Sequence, residues 1–386
     1  MMMKSILSLL ALCVLGMPAF SKERPTNVIF VLADDLGWAE LACYGNSFNE
    51  TPHLDKLAKQ GLRFTHAYAA APVCSPYRAA LLTGQHPARV GILDYLRPNS
   101  SNALPVSQIT LPKIFKRNGY ATGMVGKWHL TGYKYQNAQF EVRPTDHGFG
   151  WNTGSEVKGV GNGANFWPYV FRTQLIRWLD ITENRMGKNE YLTDRLTDEA
   201  LTFIEANRDG PFFLYLPHYA VHTPLQAKED LIAKYRKKPP VKGHRNPVYA
   251  AMIQSLDESV GRILDKLDEL KLTEKTVVVF TSDNGGLGGY ADAGIQGAKD
   301  VSSNAPLRGG KGMLYEGGIR VPQIVRWRKV VEPGSECAEP VVTLDFYPTL
   351  AEIAGATLDP AQQLDGKSLL PLLKSAGKAT LDREAI

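Results

Sequence analysis

Two short apolar runs constrain this fold more than any other feature of the sequence. Asn27–Ala33 reads NVIFVLA and Thr276–Thr281 reads TVVVFT. Neither alternates polar with apolar residues, so neither can keep one face in water. Such a strand is stable only when both faces of its sheet are covered. Segments with helical periodicity lie around them. Thr51-Pro52 opens one, with Thr as N-cap and Pro at the first helical position; Leu54, Leu57 and Ala58 share a face and Gly61 is its stop. Thr110–Asn118 is a second helix, ended by Gly119. Thr193–Asn207 is a third, with Leu196, Ala200, Phe203 and Ile204 on one stripe. Pro247–Leu270 is the longest, and Met252, Ile253, Leu256, Val260, Ile263, Leu264 and Leu267 form its core face. Tyr120–Val125 and Phe212–Leu216 read as further strands, and Asp345 as the cap of a helix running to Ala354. This alternation predicts an α/β fold: a doubly wound, mostly parallel central sheet flanked by helices.

The first residues read as an export signal. Lys4 is the positive region, Ile6–Gly16 the short apolar run, and Ala19-Phe20-Ser21 the small-x-small cleavage site. The run is too short to span a bilayer, and no later segment looks membrane-spanning. Leu12 precedes Cys13 where a lipoprotein signal wants a small residue. Cleavage after Ser21 starts the mature chain at Lys22, places the protein outside the cytoplasm (secreted or periplasmic), and leaves Cys43, Cys74 and Cys337. Three is odd, so at least one has no internal partner. A net charge of +5 over 386 residues is mild and argues against a dedicated nucleic-acid binder.

Polar residues gather where the predicted strands end. The first strand runs into Asp34-Asp35, that at Tyr120 into Gly126-Lys127-Trp128-His129, that at Phe212 into His218 and His222, and that at Thr276 into Ser282-Asp283-Asn284-Gly285-Gly286. In open α/β sheets, ligands bind beyond the carboxyl ends of the strands. One such end is explained by turn chemistry, but four together are not. Asp34, Asp35, Asp283 and Asn284 offer only oxygen, which suits Ca²⁺ or Mg²⁺ rather than zinc. Between the Asp-Asp strand and the Gly-Lys-Trp-His strand lies Cys74-Ser75-Pro76-Tyr77-Arg78.

With these residues in place the sequence resembles the type I sulfatases, the formylglycine-dependent branch of the alkaline phosphatase superfamily. The segments that carry the resemblance are VLADDLGW (31–38), CSPYRAALLTG (74–84), GKWH (126–129), PHYAVHTP (217–224), SDNGG (282–286) and GGKGMLYEGGIRVP (309–322). They span nearly the whole chain after the signal, in order and spacing. Tyr77 stands where the family usually has Ser, at a variable position of the motif.

The resemblance implies conversion of Cys74 to formylglycine by a formylglycine-generating or sulfatase-maturing enzyme. A thiol would trap the sulfuryl group; the hydrated aldehyde accepts it on one oxygen, and the other hydroxyl expels sulfate. Asp34, Asp35, Asp283 and Asn284, with residue 74, are implied as ligands of one Ca²⁺ per chain, and Asp283 also lies where it could take the diol proton. Arg78 is implied to hold the formylglycine hydroxyl, Lys127 and Lys311 to bind sulfate oxygens, His222 to protonate the leaving alcohol (sharing this with Lys311), and His129 to act as base when sulfate is expelled. Ser155 and His218 are candidate substrate contacts, His218 with a structural reading beside it. Arg308, Glu316 and Arg320 are expected to order the loop around Lys311, and His66 and His147 to be structural.

The implied activity is a sulfuric ester hydrolase acting on a sulfated carbohydrate. The alternatives are a phosphonate monoester or phosphodiester hydrolase of the same superfamily, or a catalytically silent glycan binder. Trp151, Trp167, Tyr169 and Trp178 either stack on sugars or pack beneath a loop. The basic run Lys234, Arg236, Lys237, Lys238, Lys242 and Arg245 is either a solvated loop or a steering patch for a polyanion. By the same resemblance, residues 1–21 are the signal, 22–374 the catalytic α/β domain and 375–386 the start of a C-terminal antiparallel subdomain that is largely missing. Its loss is expected to expose an apolar face and a sheet edge.

Overall fold

A computed structural model describes residues 26–97, 100–131, 142–155, 165–169, 181, 183–185, 187, 189–296 and 300–383. The signal segment and Trp178 lie outside the described residues.

Among the described residues nine strands form one sheet: β1 (Asn27–Ala33), β2 (Leu62–Tyr68), β3 (Ala121–Val125), β4 (Trp151–Thr153), β5 (Phe212–Pro217), β6 (Thr276–Ser282), β7 (Arg320–Trp327), β8 (Ser335–Cys337) and β9 (Val341–Val342). The order across the sheet is β4-β3-β5-β1-β6-β7-β2-β8, with β9 also paired to β2. The two apolar runs are the central neighbours β1 and β6, parallel and in register from Asn27 opposite Thr276 to Ala33 opposite Ser282. Every residue of both is buried. The pairs among β4, β3, β5, β1 and β6 are all parallel. Strand β7 alone runs against its neighbours, antiparallel to both β6 and β2.

Helices cover both faces. Pro247–Glu269, Leu192–Ala206, Glu229–Tyr235 and Pro52–Lys59 pack on one, in a core that includes Leu256, Val260, Leu196 and Leu54. Cys74–Thr83, Leu111–Arg117, Phe346–Ile353 and Leu370–Lys374 pack on the other, around Leu81, Phe115, Phe346 and Leu372. Sandwiched between two apolar layers, the central strands have no need to alternate.

Two local readings change. Gly61 follows the Pro52–Lys59 helix, but its reason is packing: a Cβ there would sit 2.4 Å from the Val325 carbonyl oxygen of β7. Asp345 precedes the Phe346–Ile353 helix without capping it by side chain. Its carboxylate instead accepts from the backbone N–H groups of Val342 and Lys367, both at 2.8 Å, and pairs with Arg383 at 2.8 Å. Among the described residues no helix is long and apolar enough to cross a membrane, and Cys43, Cys74 and Cys337 are all free thiols.

Candidate active site

The strand ends meet. Side chains of consecutive residues on a strand point to opposite faces, so Asp34 and Asp35 could share a pocket only if the strand stopped between them. It does: Asp35 has φ of 62°, in the left-handed region that Asp tolerates better than most residues. Asp34 is held on both sides by backbone, donating its N–H to Ala220 O and accepting from Val221 N–H.

Cys74 is the first residue of the Cys74–Thr83 helix, and its Sγ lies 3.5 Å from both Asp34 Oδ1 and Lys127 Nζ. Lys127 Nζ is 2.5 Å from Asp34 Oδ2. One turn into the helix, Arg78 donates to Asp283 Oδ2 at 2.7 Å and to the Lys127 carbonyl at 2.9 Å. Asp283 Oδ1 accepts the Asp35 N–H, and Asn284 Nδ2 donates to Asp35 Oδ1 at 2.8 Å. Lys311 Nζ bridges Asp35 Oδ2 at 2.8 Å and His222 Nε2 at 2.9 Å. Ligand atoms of Asp34, Asp35, Cys74 and His222 all lie within 4.8 Å of one another. Nine of the residues singled out in the sequence thus form one connected cluster. Each is at most 2% exposed except His222 and Lys311, which stay more open.

Burial and charge set the proton states. Burial alone would raise Asp35, but Lys311, His222 and Lys127 outweigh it and hold the carboxyl well below its usual range. Burial and the charge of Asp34 push Asp283 up to about 6, against Arg78 and Lys127. Burial pushes the Cys74 thiol up, despite both lysines. Burial works against the charge on Lys311, yet Asp35 wins and raises it. His222 falls to about 4, chiefly through burial, with Asp35 opposing and Lys311 assisting.

His129 is buried within reach of the charges of Lys127 and Arg78. Its Nε2 faces the Leu96 carbonyl at 2.9 Å, and burial with the charges of Lys127 and Arg78 keeps it neutral. Ser75, not singled out from sequence, fixes that wall by donating to His129 O and accepting from Leu96 N–H. Ser155 is fully buried and its Oγ accepts from Asn152 Nδ2 at 2.9 Å.

His218 is turned away. It is fully buried against the helix layer, its Nε2 3.1 Å from Ser259 Oγ, and burial lowers it to about 3. This placement fits the structural of its two readings: His218 lies against Ser259 of the Pro247–Glu269 helix. Trp151 is part-buried and packs edge-on against the Phe203 ring, and Tyr169 is buried. Half of the basic run is paired: Lys234 and Lys238 both meet Glu50, and Arg236 meets Glu229. Around Lys311, Arg308 stacks on Tyr315, while Arg320 pairs with Glu316 and covers Trp38.

A doubly wound, mostly parallel sheet with buried carboxylates, lysines, an arginine and a helix-borne cysteine gathered beyond its strand ends has the architecture of the alkaline phosphatase superfamily. The chain belongs to the sulfatase family, whose description as Sulfatase matches residues 26–356. Mouse (Mus musculus) steryl-sulfatase is 34% identical over 425 residues, covering 92% of this chain and 66% of that protein. Human (Homo sapiens) N-acetylgalactosamine-6-sulfatase is 34% identical over 379 residues, covering 93% and 67%. A crystal structure of Ps i-CgsB in complex with k-i-k-neocarrahexaose superposes with a TM-score of 0.76 at 33% identity, covering 92% of this chain and 77% of that one. The chain therefore spans about two thirds of the length of the first curated relative.

Proposed function

We propose that this chain hydrolyses sulfate esters of saccharides, with residue 74 as formylglycine nucleophile and one Ca²⁺ beside it. The observation that carries the reading is the position of Cys74 Sγ, 3.5 Å from a ligand carboxylate and 3.5 Å from an ammonium group. A group placed there touches a metal ligand and an anion-binding cation at once.

The donor set fits Ca²⁺. Asp34, Asp35 and Asp283 supply carboxylates, and Asn284 Oδ1 is a buried acceptor without a partner among the described residues. An orphaned buried oxygen is costly unless something positive meets it. Calcium held there would polarise the ester and lower the pKa of the diol. Formylglycine would supply a nucleophilic oxygen and a second hydroxyl able to expel sulfate.

The protein's own groups do the remaining work. Arg78 fixes Asp283 and the Lys127 carbonyl, so it orients the metal ligands. Lys127 and Lys311 supply fixed positive charge where sulfate oxygens would lie, in a site with little water to screen it. With Ca²⁺, the three cations outweigh the three carboxylates by two charges, enough for a monoanionic ester. Lys311 carries the proton nearest the leaving oxygen, and His222 accepts from Lys311 and holds its direction.

The saccharide reading is supported by the names of two relatives: one is an N-acetylgalactosamine-6-sulfatase, and Ps i-CgsB was solved with a neocarrahexaose. Export in Sec-type fashion from the residue 1–21 signal, and action outside the cytoplasm, are part of the same proposal. Assay of the matured protein on sulfated saccharides, an aryl sulfate and a phosphonate monoester tests it. We expect sulfate release to dominate and Cys74→Ala to abolish it. Dominant phosphonate hydrolysis, or full activity in Cys74→Ala, overturns it.

A further inference from the structure

Three loops must be held in fixed relation for the site above to exist: Asp35-Leu36-Gly37, Asn284-Gly285-Gly286 and Gly309-Gly310-Lys311. One side chain outside every segment quoted from the sequence hydrogen-bonds two of them and lies against the third. Asn304 is 2% exposed. Its Oδ1 accepts the Gly286 N–H at 3.1 Å. Its Nδ2 lies 2.9 Å from Gly286 O, 3.1 Å from Gly288 O and 3.0 Å from Gly309 O. A carboxamide has two N–H donors and one acceptor oxygen; here every one is used, with two hydrogens shared over three carbonyls.

Asn304 is among the groups that leave no room for a side chain on the glycines around it, with Ser302 Oγ 2.6 Å from a Cβ on Gly286 and the Gly288 carbonyl 2.0 Å from one on Gly310. A Cβ on Gly37 would sit 2.5 Å from Asn304 Oδ1, one on Gly286 2.9 Å from the same atom, and one on Gly310 2.7 Å from Asn304 Nδ2. Each of the three loops thus presents bare backbone to one side chain. The Gly286 carbonyl also accepts the Lys311 N–H at 3.0 Å, and Tyr290 Oη donates to the Lys311 carbonyl at 3.2 Å. The metal-ligand loop and the lysine loop are therefore tied through Gly286, and Asn304 locks that tie.

We infer that Asn304 is a positioning residue: it sets the distance between the Asp35/Asn284 ligand pair and Lys311 without touching either. The inference rests on the proposed use of these residues as metal ligands and sulfate-binding cation. Aspartate has the same shape, but turns both donors into acceptors facing three carbonyl oxygens. Serine is too short to reach both hydrogen-bonded loops.

Both variants, Asn304→Asp and Asn304→Ser, are compared with the wild type by calorimetric Ca²⁺ titration and by steady-state kinetics on 4-nitrophenyl sulfate. Groups that orient metal ligands typically change affinity or activity 10–100-fold when removed. We expect about a 10-fold or greater loss in Ca²⁺ affinity and in kcat, with KM changing less than kcat and a cooperative thermal transition retained. Ca²⁺ affinity and kcat within two-fold of wild type, in a folded variant, overturn the role. Should neither variant fold, hydrogen exchange on the wild type decides: the Gly286 and Lys311 amides should be protected as well as those of β6, and fast exchange at both overturns it. Calcium binding and exchange are read without turnover, so a wild type inactive on sulfate esters would sink the proposed function while leaving this test intact.

Discussion

Lys311 Nζ and His222 Nε2 lie 2.9 Å apart, and the contact fixes which of them carries the proton. His222 Nδ1 faces the Thr223 carbonyl at 2.7 Å, and a carbonyl only accepts. The ring hydrogen is therefore on Nδ1, and Nε2 accepts from Lys311. With His222 lowered to about 4 and Lys311 raised, the proton of the pair sits on Lys311 at pH 7. On the proposed function this pairing favours Lys311 as the proton donor, a task the family resemblance implies for His222 with Lys311 sharing it. Lys311→Ala should lower kcat by about 10²–10⁴-fold on an alkyl or saccharide sulfate. On 4-nitrophenyl sulfate, whose leaving group departs without a proton, the loss should be smaller. Equal losses on the two substrates would contradict a proton-donor role.

Arg78 is fully buried between Asp283 Oδ2 and the Lys127 carbonyl. Lysine has no planar fork with which to hold both. Arg78→Ala leaves buried carboxylates without their partner and should destabilise the fold by about 3–5 kcal/mol. Arg78→Lys should be folded but at least ten-fold slower. Urea unfolding and aryl-sulfate kinetics measure the two effects; a stable, active Arg78→Ala protein would remove Arg78 from the account.

His218 is buried neutral, lowered to about 3 from the usual 6.5. Its folded pKa lies below its unfolded value, so the unfolded chain takes up the proton first. The stability it contributes is complete above pH 6.5 and is lost as pH falls from there towards 3. The slope is about 1.4 kcal/mol per pH unit for one such group. Comparing urea midpoints at pH 7.5, 6, 5 and 4.5, His218→Gln should show a shallower acid loss than wild type. Parallel curves would mean His218 is not the titrating group.

Lys234 and Lys238 are committed to Glu50, and Lys238 also donates to Phe48 O. They serve the protein more than any ligand. Replacing both by Ala should lower the melting temperature yet change KM for a polyanionic glycan less than two-fold. A large rise in KM that salt abolishes would restore the steering role.

What was legible in the sequence follows the range of the forces involved. The strands β1 and β6 show themselves because full burial writes an uninterrupted apolar run. Asp34-Asp35 and Asp283-Asn284 stand out because strand ends place oxygen-bearing side chains consecutively. Strand β7 did not: Gln323 and Arg326 are buried within it and Pro322 interrupts it, so neither period appears. The Cys74–Thr83 helix is buried on all sides, which erases the amphipathic stripe that betrays other helices. Asn304 gives no signal because its hydrogen-bond partners are backbone groups of two loops. The one hint is the excess of glycine at 285–289 and 309–312, which reads as turn chemistry until the amide between the loops is seen. His218 kept two readings in the sequence for the opposite reason: position at a strand end does not say which face a side chain takes.

The central claim is that residue 74, converted from cysteine, is the nucleophile. The direct measurement is kcat/KM on 4-nitrophenyl sulfate against the fraction of Cys74 converted, read by mass spectrometry of the peptide spanning residues 74–78. Conversion shows as the loss of sulfur and two hydrogens with the gain of one oxygen. The account predicts activity proportional to conversion, extrapolating to zero in the unconverted protein. Undiminished activity in a preparation whose Cys74 is entirely thiol would contradict it.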